Sequence, residues 1–142
     1  MPRFKNFDKI DKNVPVLIAG QTASGKSQIA IDIAEKQGGT IINADAIQVY
    51  KNWRILTARP SRYDESKINH KLYGHIEETT DYSVGTWLNE VQEILSSNSR
   101  PIIVGGTGLY FSALTNGLVD IPEISETIRQ EAKNRIKKNG FE

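Results

Sequence analysis

GQTASGKS, residues 20–27, sits between the apolar run VPVLIAG at residues 14–20 and the segment Lys26 to Gln37. In that segment Ile29, Ala30, Ile33 and Ala34 recur at helical spacing, and Gly38-Gly39 supplies a stop. The order is therefore a buried strand, a glycine-rich loop and an amphipathic helix, the context in which Gly20-x-x-x-x-Gly25-Lys26-Ser27 reads as a phosphate loop. Gly20, Gln21, Thr22, Ala23, Ser24 and Gly25 would curl so that backbone N–H groups face an anion, reinforced by the positive end of the following helix. Lys26 would reach the terminal phosphates, and the Ser27 hydroxyl is placed to complete a Mg²⁺ sphere. The expected ligand is a small molecule bearing a pyrophosphate or a nucleotide, held with a divalent metal.

Working outward, TIINAD at residues 40–45 reads as a second strand that delivers Asp45 to its C-terminal end. Residues 51–83 turn polar and carry Pro60, so they read mainly as loop, with a short helix near Asp64 to Ile68. A helical face resumes over residues 84–97 through Trp87, Leu88, Val91, Ile94 and Leu95, and PIIVGG at residues 101–106 is another apolar strand. Leu109 to Leu114 opens a further helix, broken over Asp120 to Ile124 by Pro122, and Ser125 caps a last helix running to Lys138. The alternation predicts an α/β fold: a parallel sheet flanked by helices, a phosphate-loop nucleoside-triphosphatase-like core. Residues 1–13, charged and without apolar period, read as a mobile lead-in, and residues 14–142 as the core.

Composition narrows the classes. With 38% hydrophobic and 25% charged residues, the 142-residue chain has the make-up of an ordinary globular domain, and no apolar run suits a membrane span. The absence of cysteine excludes disulfides, thiolate zinc sites and cysteine nucleophiles. A cytoplasmic setting is expected. A net charge of +1 announces no nucleic-acid binder, so any such site must be local. The basic cluster Arg129, Lys133, Arg135, Lys137 and Lys138 could touch RNA phosphates or could be a solvated helix face.

Several residues should share the sheet edge with the loop. Ligands of open parallel sheets bind beyond the C-terminal strand ends, which puts Asp45 in the same crevice as Lys26. Its carboxylate could hold a metal-bound water, accept a proton from a nucleophile, or merely cap the following turn. Gly105-Gly106-Thr107-Gly108 makes a second glycine-rich turn, required either by close approach of backbone to a ligand or by a tight turn needing positive φ. Arg59 could pair with a phosphate or be an ordinary solvated loop arginine.

Taken together, GQTASGKS (20–27), DAIQVY (45–50), TARPS (57–61), YSV (82–84) and GGTGLY (105–110) resemble the tRNA dimethylallyltransferase, or tRNA isopentenyltransferase, family. The resemblance runs from about Val14 to the IPEI segment near residue 124. It implies transfer of a dimethylallyl group from dimethylallyl diphosphate to N6 of the adenine 3′-adjacent to the anticodon of certain tRNAs. It further implies that residues 20–27 hold the diphosphate with Mg²⁺ at Ser27, and that Asp45 takes the N6 proton. Lys26 and Thr107 join Asp45 in catalysis, and Asp45, Ala46, Ile47, Gln48 and Thr107 meet the tRNA anticodon stem-loop. Gln21 stands where the family usually has proline, and Ala46 where serine is common. Family members also continue into a tRNA-gripping insertion and a C-terminal part that residues 14–142 lack, which leaves the activity of this chain by itself open. A phosphate-loop small-molecule kinase and a non-catalytic ligand-binding module are the competing readings. The lack of an arginine-rich lid after GGTGLY counts against the kinase.

Overall fold

The computed structural model describes residues 7–97, 99–119 and 124–140. Strands β1 (Val16–Ala19), β2 (Thr40–Asn43), β3 (His70–Lys71) and β4 (Pro101–Gly105) form one sheet in the order β1-β4-β2-β3, with every pairing parallel. Helices α1 (Lys26–Gln37), α2 (Arg62–Lys67), α3 (Val84–Leu95), α4 (Gly108–Asn116) and α5 (Glu126–Asn139) complete the order. The expected α/β architecture is therefore present, and its alternating elements explain it: each apolar run is too short for anything but a strand, and α1, α3 and α4 each supply one covered face.

The residues of β2 and β4 alternate between two cores. Ile41, Ile102 and Val104 pack with Ala30, Ile33 and Ala34 of α1, while Ile42 and Ile103 pack with Trp87 and Val91 of α3 and Tyr110 of α4. Register pairs Ile41 with Ile102 and Ile42 with Ile103, so like faces stay together across the sheet. Ser83 and Ser61 cap α3 and α2 by accepting the Thr86 and Asp64 N–H groups, and Asp64 returns the bond to Ser61 N as a capping box. Gly38 (φ 74°) ends α1 as expected, its N–H donating to Ala34 O.

Four expectations are corrected. The first strand is not buried: β1 lies at the sheet edge and Leu17, on its open face, is 43% exposed. The lead-in is tied down where it is described, because Phe7 is 3% exposed within the α1 core and Gln37 Nε2 donates to Phe7 O at 2.8 Å. Arg100 adds bonds to Asp11 O and Val14 O. Residues 51–83 are more than loop and one helix, since β3 pairs with β2 and Tyr50 bridges Ile76. The helix there begins two residues earlier than expected, at Arg62 behind its Ser61 cap. The Pro122 break and Asp120 to Glu123 lie outside the described residues. In α5, Ser125 caps as expected, none of the helix is buried, and its basic residues are exposed.

Candidate active site

Because β1, β4 and β2 are parallel neighbours, the segments leaving their C-terminal ends emerge side by side: the phosphate loop, Gly105 to Gly108, and Asp45 to Gln48. Gly20 N donates to Gly105 O at 3.3 Å, tying the first two together. Within the loop Ala23 and Gly25 have positive φ (62° and 85°), and Ser24 N donates to Gln21 O at 3.3 Å. Gly25 is the N-cap of α1 and offers no side chain to the first helical N–H groups, which leaves them for an anion. Lys26 Nζ spans the loop and donates to Gln21 O at 2.9 Å.

Asp45 is held by Asn43, a fully buried residue whose amide is wholly engaged. Asn43 Oδ1 accepts Asp45 N–H, while Nδ2 donates to Asp45 O and to Leu72 O, each at 3.0 Å. The Asp45 carboxylate uses Oδ1 to accept Ile47 N–H at 3.0 Å and Gln48 N–H at 3.4 Å, an Asx-type turn. Turn capping is thus true of this residue. Gln48 in turn donates from Nε2 to Thr57 O at 2.7 Å.

A cavity of about 280 Å³ is lined by Thr22, Ala23, Gly25, Lys26, Ser27 and Asp45, with Gln48, Thr57 and Ala58 on the remaining wall. Lysine, serine hydroxyl and carboxylate therefore meet in one space, as the motif spacing anticipated. Gly20, Gln21, Ser24, Ala46, Ile47 and Thr107 are not among its lining residues. Thr107 is instead a junction: its Oγ1 accepts Ala46 N–H at 2.9 Å and its N–H donates to Ala44 O at 3.2 Å, locking the β4 turn to the β2 turn. Its hydroxyl hydrogen remains available to a ligand. At Gly105 the second glycine turn is required by close approach between two backbones, a reason the sequence did not offer. A Cβ at Gly105 would lie 2.0 Å from Ala44 O, and neither Gly105 nor Gly106 has positive φ.

Arg59 is not an ordinary solvated loop arginine. Its Nη1 donates to Tyr50 O and Lys51 O, clasping the strand-like bridge, and its guanidinium fills the space where a Cβ on Gly74 would sit. Burial first, then Arg54, lowers its pKa against an opposing effect of Glu65. It lines a separate cavity of about 340 Å³ that shares Ser27 and Ala58 with the first and is backed by Ile31, Ile41 and Tyr73. The YSV motif is similarly structural: Tyr82 OH donates to Glu90, Ser83 caps α3, and Val84 packs against the α3 core. His75 Nε2 lies 3.0 Å from the same Glu90 oxygen.

Sequence reasoning missed Asn43, and although it placed Trp87 on a helical face it missed the bond that Trp87 makes to Asn43. Trp87 is fully buried, stacks on Tyr110 with centroids 4.4 Å apart, and donates from Nε1 to Asn43 O at 2.7 Å. Burial, Tyr50, Asp45 and Glu90 together push the Tyr110 phenol up to about 12. The signal for Asn43 was a lone amide inside an otherwise apolar strand, a polar group that burial tolerates only with every bond satisfied.

A strand, a phosphate loop and a helix, faced by a carboxylate from the second strand, define a phosphate-loop α/β domain. The IPP transferase family model matches residues 48–142 and the isopentenyl transferase model residues 14–74, and the chain belongs to the IPP transferase family. It is 58% identical over 127 residues to the tRNA dimethylallyltransferase of Ruegeria sp. (strain TM1040), covering 89% of this chain and 44% of that protein. Against the enzyme of the same name from Dinoroseobacter shibae the identity is 61% over 127 residues, with 89% and 43% covered. Among solved structures, the full-length tRNA isopentenylpyrophosphate transferase of Bacillus halodurans superposes with a TM-score of 0.70 at 27% identity, over 89% of this chain and 44% of that one. A eukaryotic dimethylallyltransferase acting on tRNA gives 0.69 at 28%, over 87% and 35%. The chain thus spans less than half the length of these relatives.

Proposed function

We propose that this chain is the phosphate-loop portion of an enzyme that moves a dimethylallyl group from dimethylallyl diphosphate to N6 of the adenine 3′-adjacent to the anticodon in certain tRNAs, releasing diphosphate. The observation that carries the proposal is the single cavity shared by Lys26, Ser27 and Asp45. In the step, the N6 lone pair forms a bond to the allylic carbon, and the bond from that carbon to the diphosphate oxygen breaks with its electron pair. Lys26 and the free N–H groups at the start of α1 stabilise the charge gathering on the departing diphosphate. Asp45 accepts the N6 proton, an effect typically worth about 10²–10⁴ in rate. Thr107 fixes the Asp45 turn against β4 and keeps one hydroxyl hydrogen for the nucleotide, with Ala46, Ile47 and Gln48 forming the rest of the tRNA-facing edge.

Among the described residues no group of three or more His, Cys, Asp or Glu could cage a metal. The oxygen donors present, Ser27 Oγ and the Asp45 carboxylate, suit Mg²⁺, which keeps water and substrate oxygens as most of its ligands. When bound there, Mg²⁺ supplies further charge stabilisation to the leaving diphosphate. No helix among the described residues is long and apolar enough to cross a membrane, and a cytoplasmic place of action is part of the proposal.

The test is transfer of label from dimethylallyl diphosphate to tRNA drawn from cells that lack the modification. Asp45→Asn keeps an oxygen for the turn and loses the base, so transfer should fall at least about 100-fold while diphosphate binding persists. Lys26→Ala should weaken diphosphate binding itself. Transfer of the γ-phosphate of ATP to a small molecule, or undiminished prenyl transfer by Asp45→Asn, would show the assignment to be wrong.

A further inference from the structure

Beside the cavity lies the most exposed apolar surface of the sheet edge. Ile55 is 94% exposed, Leu56 82% and Trp53 58%, and Ile47 across the Gln48 bridge is exposed as well. The turn that carries them is fixed. Thr57 donates from both its N–H and its hydroxyl to Trp53 O at 2.9 Å, Ala58 N bonds to Ile55 O, and Arg59 N bonds to Arg54 O. Arg54 also pairs with Glu65. Trp53 itself has φ 57°, a left-handed conformation that glycine or asparagine adopts far more readily than a bulky aromatic residue. A rigid, strained turn thus presents an indole outward next to the site.

The surrounding charge indicates the partner. Residues 51–62, KNWRILTARPSR, hold Lys51, Arg54, Arg59 and Arg62 and no acidic residue, in a chain whose net charge is only +1. Lys51 and Arg54 find carboxylates from elsewhere, Glu77 and Glu65, and the Lys51 pair is solvent-exposed and therefore weak enough to exchange for a phosphate. An exposed aromatic face set among cations, even where two of them have carboxylate partners in Glu77 and Glu65, is the combination that holds unpaired nucleotides, since every base has a π-face and every nucleotide a phosphate.

We propose that Trp53, flanked by Ile47 and Leu56, is a stacking platform for an unpaired nucleobase of the RNA substrate, adjacent to the base that enters the Asp45 cavity. The inference rests on the tRNA reading above and adds a substrate-positioning residue to it. An adenine must leave its stack to reach Asp45, which strips a neighbouring base of its own stacking partner. Trp53 replaces that partner, and the Thr57–Gln48 bond ties its turn to the cavity wall.

The chain contains only two tryptophans, and Trp87 is fully buried against Tyr110, so a change in emission on binding that disappears in Trp53→Phe reports Trp53. Titration with an anticodon stem-loop RNA carrying the target adenine should quench that emission saturably. Trp53→Ala should weaken RNA binding by about 5- to 150-fold, the range for one base on one ring. Trp53→Phe should restore most of it, and dimethylallyl diphosphate affinity should be unchanged in both. RNA binding by Trp53→Ala equal to that of the unsubstituted chain, or binding that leaves Trp53 emission unmoved, overturns the platform while leaving Asp45-dependent transfer standing. In a longer polypeptide carrying this chain, blue-shifted Trp53 emission that ignores RNA would assign the surface to protein contacts and overturn it too. Failure of the unsubstituted chain to bind RNA at all removes the platform and the tRNA half of the proposed function together, with diphosphate binding read separately.

Discussion

Replacing Gly105 by alanine tests whether the site depends on the contact between the ends of β2 and β4. The added Cβ would lie 2.0 Å from Ala44 O and 2.2 Å from Ala44 C, both backbone atoms that no rotamer change can move away. Relief requires the strand ends to part by about 1 Å, an overpacking cost of about 1–3 kcal/mol. The same movement stretches the 3.2 Å bond from Thr107 N to Ala44 O, worth a further ~0.5–1.5 kcal/mol. The sum, about 1.5–4.5 kcal/mol, is a large share of the ~5–15 kcal/mol that holds a domain together. With a urea dependence of roughly 2 kcal/mol per molar, the unfolding midpoint should drop by about 1–2 M. Gly106→Ala is the control, because its Cβ would meet nothing nearer than Gly20 O at 3.4 Å and its φ is unstrained. It should unfold within about 0.3 M of the unsubstituted chain on the same scale. Where Asp45-dependent transfer is measurable, Gly105→Ala should also reduce it about 100-fold, the usual consequence of a ~1 Å misplacement. Equal midpoints for Gly105→Ala and the unsubstituted chain, or equal damage from both variants, would refute the reasoning.

Asn43→Ala removes three hydrogen bonds around Asp45 without touching the cavity lining, so it should cost about 2–4 kcal/mol in urea unfolding and lower transfer more than diphosphate affinity. Alkaline pH should destabilise the fold for a reason with a definite sign. Burial, the largest cause in each case, raises the phenol pKa values of Tyr73, Tyr82 and Tyr110, the last to about 12, whereas an unfolded tyrosine titrates near 10. Above about pH 10 the unfolded chain therefore holds fewer protons than the folded one, and stability falls as pH rises toward the folded values. Melting temperatures across pH 8 to 12 should stay level to about 10 and then decline, and a Tyr110→Phe variant should decline less steeply.

What the sequence revealed depended on how local its physics was. The phosphate loop was legible because strand, glycines, Lys26, Ser27 and helix follow one another directly, and each part constrains the next. Asp45 was placed correctly for the same reason, at the end of a short apolar run. By contrast β3 is two polar residues, His70 and Lys71, held to β2 by backbone pairing that leaves no trace in side-chain pattern. Periodicity also does not say which faces find partners, which is why an apolar β1 reads as buried although its Leu17 face is open. The anchoring of the N-terminal segment rests on two apolar side chains, Phe7 and Ile10, set among charges, and on bonds from distant Gln37 and Arg100 to its carbonyls. Arg59 was ambiguous because its partners, Tyr50 O and Lys51 O, are carbonyls brought near by the chain's return path.

The two oxygens of Asp45 divide the demands that a group-transfer site makes on one carboxylate. Oδ1 accepts the Ile47 and Gln48 N–H groups and so fixes the direction of the side chain, while neither of those bonds uses Oδ2. Oδ2 lies on the Gly106 side, where even a Cβ would approach no nearer than 3.7 Å, an ordinary contact. A carboxylate oriented through one oxygen can take a proton with the other without first rearranging, which is how preorganised groups avoid spending part of the barrier on reorientation. The buried amide of Asn43 extends the same logic inward, since it fixes the Asp45 backbone from both its N–H and its C=O and is itself backed by Trp87. The chemistry proposed for this cavity is therefore set by a column of residues, Trp87, Asn43 and Asp45, of which only the last is exposed to the ligand.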